Sequence, residues 1–398
     1  MSIIDRTLEY FVRRREKLLN GGINSIPSPF IRFQNDFIGI EQGKYYCITS
    51  STKGAKTQFT SYMFLYTPIL YAYEHPDQLR LKVFYYPLEE SKESIVARFM
   101  SFLLFTKSGI RVAPVDLEST NNSKILDSKV LDLLNSEEYR KILDFFEKTV
   151  VFSESSNPSG VWFECKKYAL EHGHVITKKQ KIKGELGETR EIDSFDYYVP
   201  DDPDEYRIIF YDHISLINTE NGMSLKQSID KLSEYCVILR NKYNFTPVII
   251  QQQAFAGESL DAFKEKKLRP TVANLSDSKY PSRDANVVLG LFSPAKHDLR
   301  EYMGYDITKL KDNVRFLEVL VNRNGTMGGI IALYFDGAAC YFKELPRPEE
   351  REALEKVYTY IQSLKQIKRK GSSFFIKLIN KTRKYGKYLF NTWENRHW

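Results

Sequence analysis

Tyr45-Tyr46-Cys47-Ile48-Thr49, continued by Ser50-Ser51-Thr52-Lys53-Gly54-Ala55-Lys56-Thr57, is the stretch whose reading decides the fold. The first five residues read as a buried strand. The next eight are small and polar, and an apolar-rich helical stretch then runs to about Tyr73. A strand, a small polar loop and a helix place backbone N–H groups at a helix N-terminus, where they can face an anion. The usual phosphate-binding loop is Gly, four residues, then Gly-Lys-Ser/Thr, with the lysine on the β- and γ-phosphates and the hydroxyl on Mg²⁺. Here Ser50 and Ala55 stand where the two glycines would, and Gly54 is extra. The nucleotide-binding candidates are therefore Ser50, Ser51, Thr52, Lys53, Gly54, Ala55, Lys56 and Thr57. The cradle survives the loss of its glycines on condition that Ser50 and Ala55 avoid left-handed backbone angles. Taken alone, the loop also reads as a polar strand-to-helix turn.

Outward from this loop, strands and helices alternate. A second buried strand, Leu81-Lys82-Val83-Phe84-Tyr85-Tyr86, precedes Leu88-Glu89-Glu90-Ser91 and a helix from about Lys92 to Phe105. Arg207-Ile208-Ile209-Phe210-Tyr211-Asp212 is a near-continuous apolar run ending in a carboxylate, as suits a strand covered on both faces of a parallel sheet. Pro247-Val248-Ile249-Ile250 runs into Gln251-Gln252-Gln253, and later strands are expected at Asn286 to Leu291, Arg315 to Val321, Gly329 to Tyr334 and Ala339 to Phe342. This alternation predicts an α/β fold with a mostly parallel central sheet. Ligands of such sheets sit beyond the carboxyl ends of the strands, where the polar loops fall. Asp212 is then placed to hold Mg²⁺ with Thr57, and Glu89 to polarise an attacking water.

The chain has 398 residues, 42% hydrophobic and 27% charged, which excludes disorder and low-complexity classes for its bulk. Cys47, Cys165, Cys236 and Cys340 are scattered without a metal or disulfide spacing and read as buried free thiols. No signal peptide and no membrane span is expected, so the chain reads as soluble and cytoplasmic. Asp5 to Asn20 reads as an amphipathic helix that packs either in the core or on a neighbouring subunit. Residues 174–204 look like an inserted hairpin around a basic turn. The net charge is +7, and the segment from Lys368 onward carries nine basic residues against Glu394 alone. The expected division is a linker helix over 1–29, one motor domain over 30–345, and a basic helical extension over 346–398. That extension is amphipathic and suits nucleic acid ahead of an acidic partner or anionic surface.

The ordered set of motifs resembles the RecA-like motor domain of DnaB-type replicative helicases and phage primase–helicases, over roughly Phe30 to Phe342. Cys47 through Thr57 is similar to the family's Walker A strand and loop. Leu88-Glu89-Glu90-Ser91 resembles the motif whose first glutamate is the catalytic base, and Ile208 to Asp212 with His213-Ile214-Ser215 resembles Walker B as found in the phage branch. Gln253 falls where the family's strand ends in a γ-phosphate sensor. Leu275-Ser276-Asp277-Ser278 and Arg283-Asp284-Ala285-Asn286 resemble a further family segment. Arg323-Asn324-Gly325 with Gly328 resembles the hairpin that supplies an arginine finger to the neighbouring subunit's ATP.

The resemblance implies an ATP-dependent DNA helicase that hydrolyses Mg·ATP between subunits of a hexameric ring while translocating on single-stranded DNA. Glu89, Gln253 and Arg323 would be catalytic, Thr57 and Asp212 would hold Mg²⁺, and priming would come from a separate primase. Lys264, Lys266, Lys267 and Arg269 are the DNA-binding candidates, alongside a plain reading of their segment as a solvated basic loop. The chain departs from the family at Ala55, at Ser276 (an arginine there) and at Val321 (a second trans lysine there), which implies slower turnover. Two alternatives stay open: a filament-forming recombination or repair ATPase, and a degenerate nucleotide-binding scaffold of a replication complex.

Overall fold

Strands covered on both faces are buried along their whole length, and four in this chain are so almost residue for residue. They are β1 (Tyr46–Ser50), β4 (Glu205–Asp212), β5 (Phe245–Gln252) and β6 (Val287–Phe292). With β2 (Arg80–Pro87), β3 (Val150–Phe152), β7 (Val314–Asn322), β8 (Ile330–Asp336) and β9 (Tyr341–Glu344) they form a nine-stranded sheet in the order β9-β8-β7-β6-β1-β5-β4-β2-β3. The computed structural model describes residues 2–120, 125–183, 189–254 and 268–370. The six strands from β6 to β3 run parallel, and β7, β8 and β9 continue from β6 as an antiparallel meander. This is the expected mixed α/β architecture with a mostly parallel sheet.

Successive side chains on a strand point to opposite faces, and the core divides accordingly. Tyr46, Ile48, Val83, Tyr85, Ile208, Phe210, Val248 and Ile250 face one cluster, which the helices Thr67–Glu74, Lys92–Ser108 and Glu137–Thr149 cover. Cys47, Phe84, Tyr86, Ile209, Tyr211 and Ile249 face the other, under Pro158–Glu171 and Leu225–Tyr243. A third cluster joins Val314, Phe316 and Tyr334 to Leu354, Val357, Tyr358 and Ile361 of the helix Arg351–Lys370. All four cysteines are buried and free. No helix among the described residues is long and apolar enough to cross a membrane.

The N-terminal helix, Ile3–Leu19, opens with a capping box at Ser2 and buries none of its residues. Of its two expected placements, the core is thus not the one found. Polar ties hold it to the body: Lys17 donates to Asp204 at 2.6 Å, and the Arg6 guanidinium lies 4.0 Å over the Tyr197 ring. Its apolar stripe of Ile4, Leu8, Phe11, Leu18 and Leu19 stays open to solvent. The inserted hairpin pairs Gly173–Lys183 with Thr189–Pro200. Three of its lysines are matched across the strands: Lys178 with Asp196 (3.3 Å), Lys179 with Asp193 (3.0 Å) and Lys181 with Glu191 (3.8 Å).

Candidate nucleotide site

β1 ends at Ser50, and the loop Ser51–Ala55 carries the chain into a helix that begins at Lys56. The sequence condition that Ala55 avoid left-handed angles is not met. Ala55 has φ +69°, and Lys53 has φ +58°. An L-residue there costs about 1–2 kcal/mol, so the loop reaches the curled shape of an anion-binding nest under strain. Gly54 is required for space rather than for φ. A Cβ there would lie 2.6 Å from the Ser50 hydroxyl and 2.9 Å from its Cβ. The extra glycine and the serine at the first glycine position are one packing solution: Gly54 yields the room that Ser50 occupies.

Lys56 is 8% exposed at the start of the helix. Burial pulls its ammonium pKa down, against the opposing pull of Glu89 and Asp212. Thr57 sits one residue on and donates its hydroxyl to Asp212 Oδ1 at 3.2 Å, while the Tyr85 hydroxyl donates to Oδ2 at 3.2 Å. Asp212, at the end of β4, is 1% exposed, and its carboxyl is pushed up to about 6, first by burial and then by the charge of Glu89. A hydroxyl beside a buried carboxylate that resists carrying its charge alone is a hard-oxygen donor set, and it fits Mg²⁺ shared with phosphate oxygens and water. Glu89 lies exposed in the bend after β2. Its neighbour Glu90 is occupied by the Arg98 guanidinium and by Ser94 Oγ at 3.3 Å, which leaves Glu89 as the carboxylate open to the loop.

At the end of β5 the three glutamines separate. Gln251 is buried, donating to the Ser276 and Ser278 carbonyls at 2.6 Å. Gln253, the residue expected at the sensor position, is turned into the fold: its amide donates to Thr49 Oγ1 at 2.8 Å and accepts from Thr271 N at 3.1 Å. The amide that reaches the loop belongs to Gln252, which donates to Thr52 Oγ1 at 2.6 Å and lies 3.1 Å from His213 Nε2. His213 itself holds φ +65°, directly after Asp212.

Arg323 lies elsewhere. It follows β7, whose last residue, Asn322, pairs with Val287 at the amino end of β6. Its Nε donates to the Ala285 carbonyl at 3.0 Å, and Nη2 donates to that of Arg283. The loop leaves the carboxyl end of β1, so the two stand at opposite edges of the sheet. Arg269 pairs with Glu318 at 3.4 Å against the face of β7. Lys264, Lys266 and Lys267 lie outside the described residues, as does the tail beyond Lys370. Sequence reasoning missed Arg315. It is 2% exposed and donates from Nε to the Gly54 carbonyl at 3.1 Å. A charged residue inside the apolar run Val314-Arg315-Phe316-Leu317 was the available signal.

Sheet and loop together define an α/β fold with a strand–loop–helix turn at the carboxyl edge of its parallel strands. No protein-family model matches the chain, and no curated protein does. Solved structures do match. A DnaB-like replicative helicase, described with its interactions with primase, superposes at TM-score 0.57 and 14% identity, over 86% of this chain and 66% of that one. The chain thus spans just under two thirds of that helicase's length. A second solved structure, an ATPase domain, superposes at TM-score 0.56 and 15% identity, over 87% of this chain and 100% of that domain. The fold is that of DnaB-type helicase ATPase domains.

Proposed function

We propose that the chain is the ATP-hydrolysing motor of a ring-forming replicative DNA helicase, working in the cytoplasm on single-stranded DNA beside a separate primase. The observation that carries this reading is the convergence of Lys56, Thr57, Asp212 and Glu89 on one loop, with Arg323 on the far edge of the same sheet. Lys56 and the loop amides hold the triphosphate, and Thr57 and Asp212 hold Mg²⁺. When bound, that ion offsets the charge on the β- and γ-phosphate oxygens. Glu89 orients the attacking water and accepts its proton as the water oxygen bonds to the γ-phosphorus and the bridge to ADP breaks. Gln252 takes the sensing role, because Gln253 is committed to Thr49 and Thr271. Arg323 serves the ATP of the next subunit. The open apolar stripe of the N-terminal helix supports self-association into a hexameric ring.

With Val321 in place of a second trans cation, turnover is expected to be slow. ATP hydrolysis by the full chain, measured with and without single-stranded DNA, tests the proposal. The expected result is DNA-stimulated, Mg²⁺-dependent turnover that Lys56→Ala abolishes. Equal rates for the wild type and Lys56→Ala would leave the second reading, a nucleotide-binding scaffold without turnover, which Val321 favours.

A further inference from the structure

We infer that Arg315 is the positioning residue of the nucleotide loop, holding it in its phosphate-accepting shape where the usual glycine is missing. The inference rests on the reading of that loop as a nucleotide site. Arg315 lies at the start of β7, with its guanidinium 4.5 Å over the Phe335 ring. Nη1 donates to the Asp312 and Val314 carbonyls at 2.8 Å each, and Nη2 to Asp312 Oδ1 at 2.9 Å. Those three bonds stay within its own turn and fix the guanidinium. The Nε bond to the Gly54 carbonyl, 3.1 Å, is the one that crosses to the loop.

That carbonyl belongs to the peptide joining Gly54 to Ala55. Rotating this peptide would carry Ala55 from φ +69° into the negative region that an alanine prefers. It would also swing the Gly54 oxygen outward and withdraw the Ala55 N–H, placing an acceptor where phosphate oxygens need donors. The relaxation that the alanine invites thus destroys the cradle. A hydrogen bond from a buried charged donor outweighs the cost of one left-handed alanine, so Arg315 blocks the rotation. A glycine at position 55 would not need it.

This logic predicts coupling between residues 315 and 55, which a general packing role for the arginine does not. Calorimetric titration with Mg·ATP would compare the wild type, Arg315→Met, Ala55→Gly and the double variant, all as full-length protein. Arg315→Met should weaken binding about tenfold. Ala55→Gly should restore most of that loss in the Arg315→Met background and have a distinctly smaller effect on affinity in the wild-type background. Equal effects of Ala55→Gly in both backgrounds, or wild-type affinity in Arg315→Met, would overturn the inference. Should Arg315→Met not fold, Asp312→Ala loosens the guanidinium from an exposed position; about threefold weaker binding, rescued by Ala55→Gly, is then expected, and absence of rescue overturns it. Failure of the wild type to take up Mg·ATP would defeat the nucleotide site itself, a distinct outcome that removes the basis of both.

Discussion

The two edges of the central sheet carry the two halves of the proposed site. At the carboxyl edge, Asp212 and Glu89 set two carboxylates against Lys56, and the Asp212 carboxyl is pushed up to about 6, first by burial and then by the charge of Glu89. At the amino edge, Asp202, Asp204 and Glu205 pair with Arg80 and Arg207 at the β2–β4 end, and cations gather around Arg323. Arg323 rests on two backbone carbonyls, and Arg240 donates to the Asp284 carbonyl and Asn286 Oδ1. The Arg240 pKa is pulled down, first by burial and next by the charge of Arg323. Lys44 lies beside the side-chain amide of Asn324. Asp284 is the nearby acid, 3.6 Å from Arg283. β1 alone separates the edges by its five residues, about 13 Å at the rise of a strand, so neither half completes the other within one chain. In the proposed ring, Arg323 of one copy would meet the loop of the next and add a cation there.

The largest effect expected follows from that separation. Arg323→Ala should lower turnover by about 10³-fold while leaving Mg·ATP binding at its own loop unchanged, because nothing it touches is near Lys56. Lys56→Ala should be inactive for the opposite reason. Mixing the two inactive variants pairs an intact loop with an intact arginine at some interfaces, and partial recovery of ATPase activity is expected. If the mixture stays as inactive as its parts, the arginine does not work across an interface.

This contrast also marks what the sequence could disclose. The apolar runs ending at Ser50, Asp212 and the glutamines were legible because strands covered on both faces tolerate little else, and a carboxylate closing such a run at Asp212 stands out. The choice among Gln251, Gln252 and Gln253 was not legible. It depends on the bridge between Gln253 and Leu275 and on the turn at Thr271, contacts made by a segment distant in sequence. Ala55 shows the same limit: its left-handed angle follows from a loop whose Gly54 carbonyl is held by Arg315, 261 residues away, and no local propensity encodes that. The N-terminal helix was readable as amphipathic from its spacing alone, yet its apolar face is buried against nothing within the described chain.

A middle-sized effect separates the edges by pH. The Asp212 carboxyl has its pKa raised from 3.8 to about 6 in the fold, so the folded state holds that proton more tightly than the unfolded chain does. Its contribution to stability is therefore fully present below about pH 4 and is lost as the pH rises through 6. Asp212→Asn removes the penalty of ionisation. In the absence of nucleotide and Mg²⁺, this variant should be more stable than the wild type by about 3 kcal/mol at pH 7, with the gap closing toward pH 4. Urea unfolding across that range measures it. A gap that is flat with pH would mean that repacking, not charge, separates the two proteins. Arg323→Ala, at the amino edge, should show no such trend.

The smallest effect concerns how each edge makes its sharp turns. The amino edge uses a glycine, Gly328 at φ +81°, where the carboxyl edge uses Ala55 at φ +69°. Replacing Ala55 with glycine removes a left-handed penalty of about 1–2 kcal/mol, but it frees the unfolded chain by about 0.4–1 kcal/mol. The two oppose, and the first is larger, so Ala55→Gly should stabilise the protein by roughly 0.5 kcal/mol. At Gly328 an added Cβ meets nothing within 4 Å, so the same two quantities act there without a packing term and with the sign reversed. Gly328→Ala should cost roughly as much as Ala55→Gly contributes. Paired denaturation curves on the two variants test the symmetry directly. A destabilised Ala55→Gly beside a destabilised Gly328→Ala would mean that the methyl group of Ala55, packed against the core cluster at the loop, contributes more than its backbone angle costs.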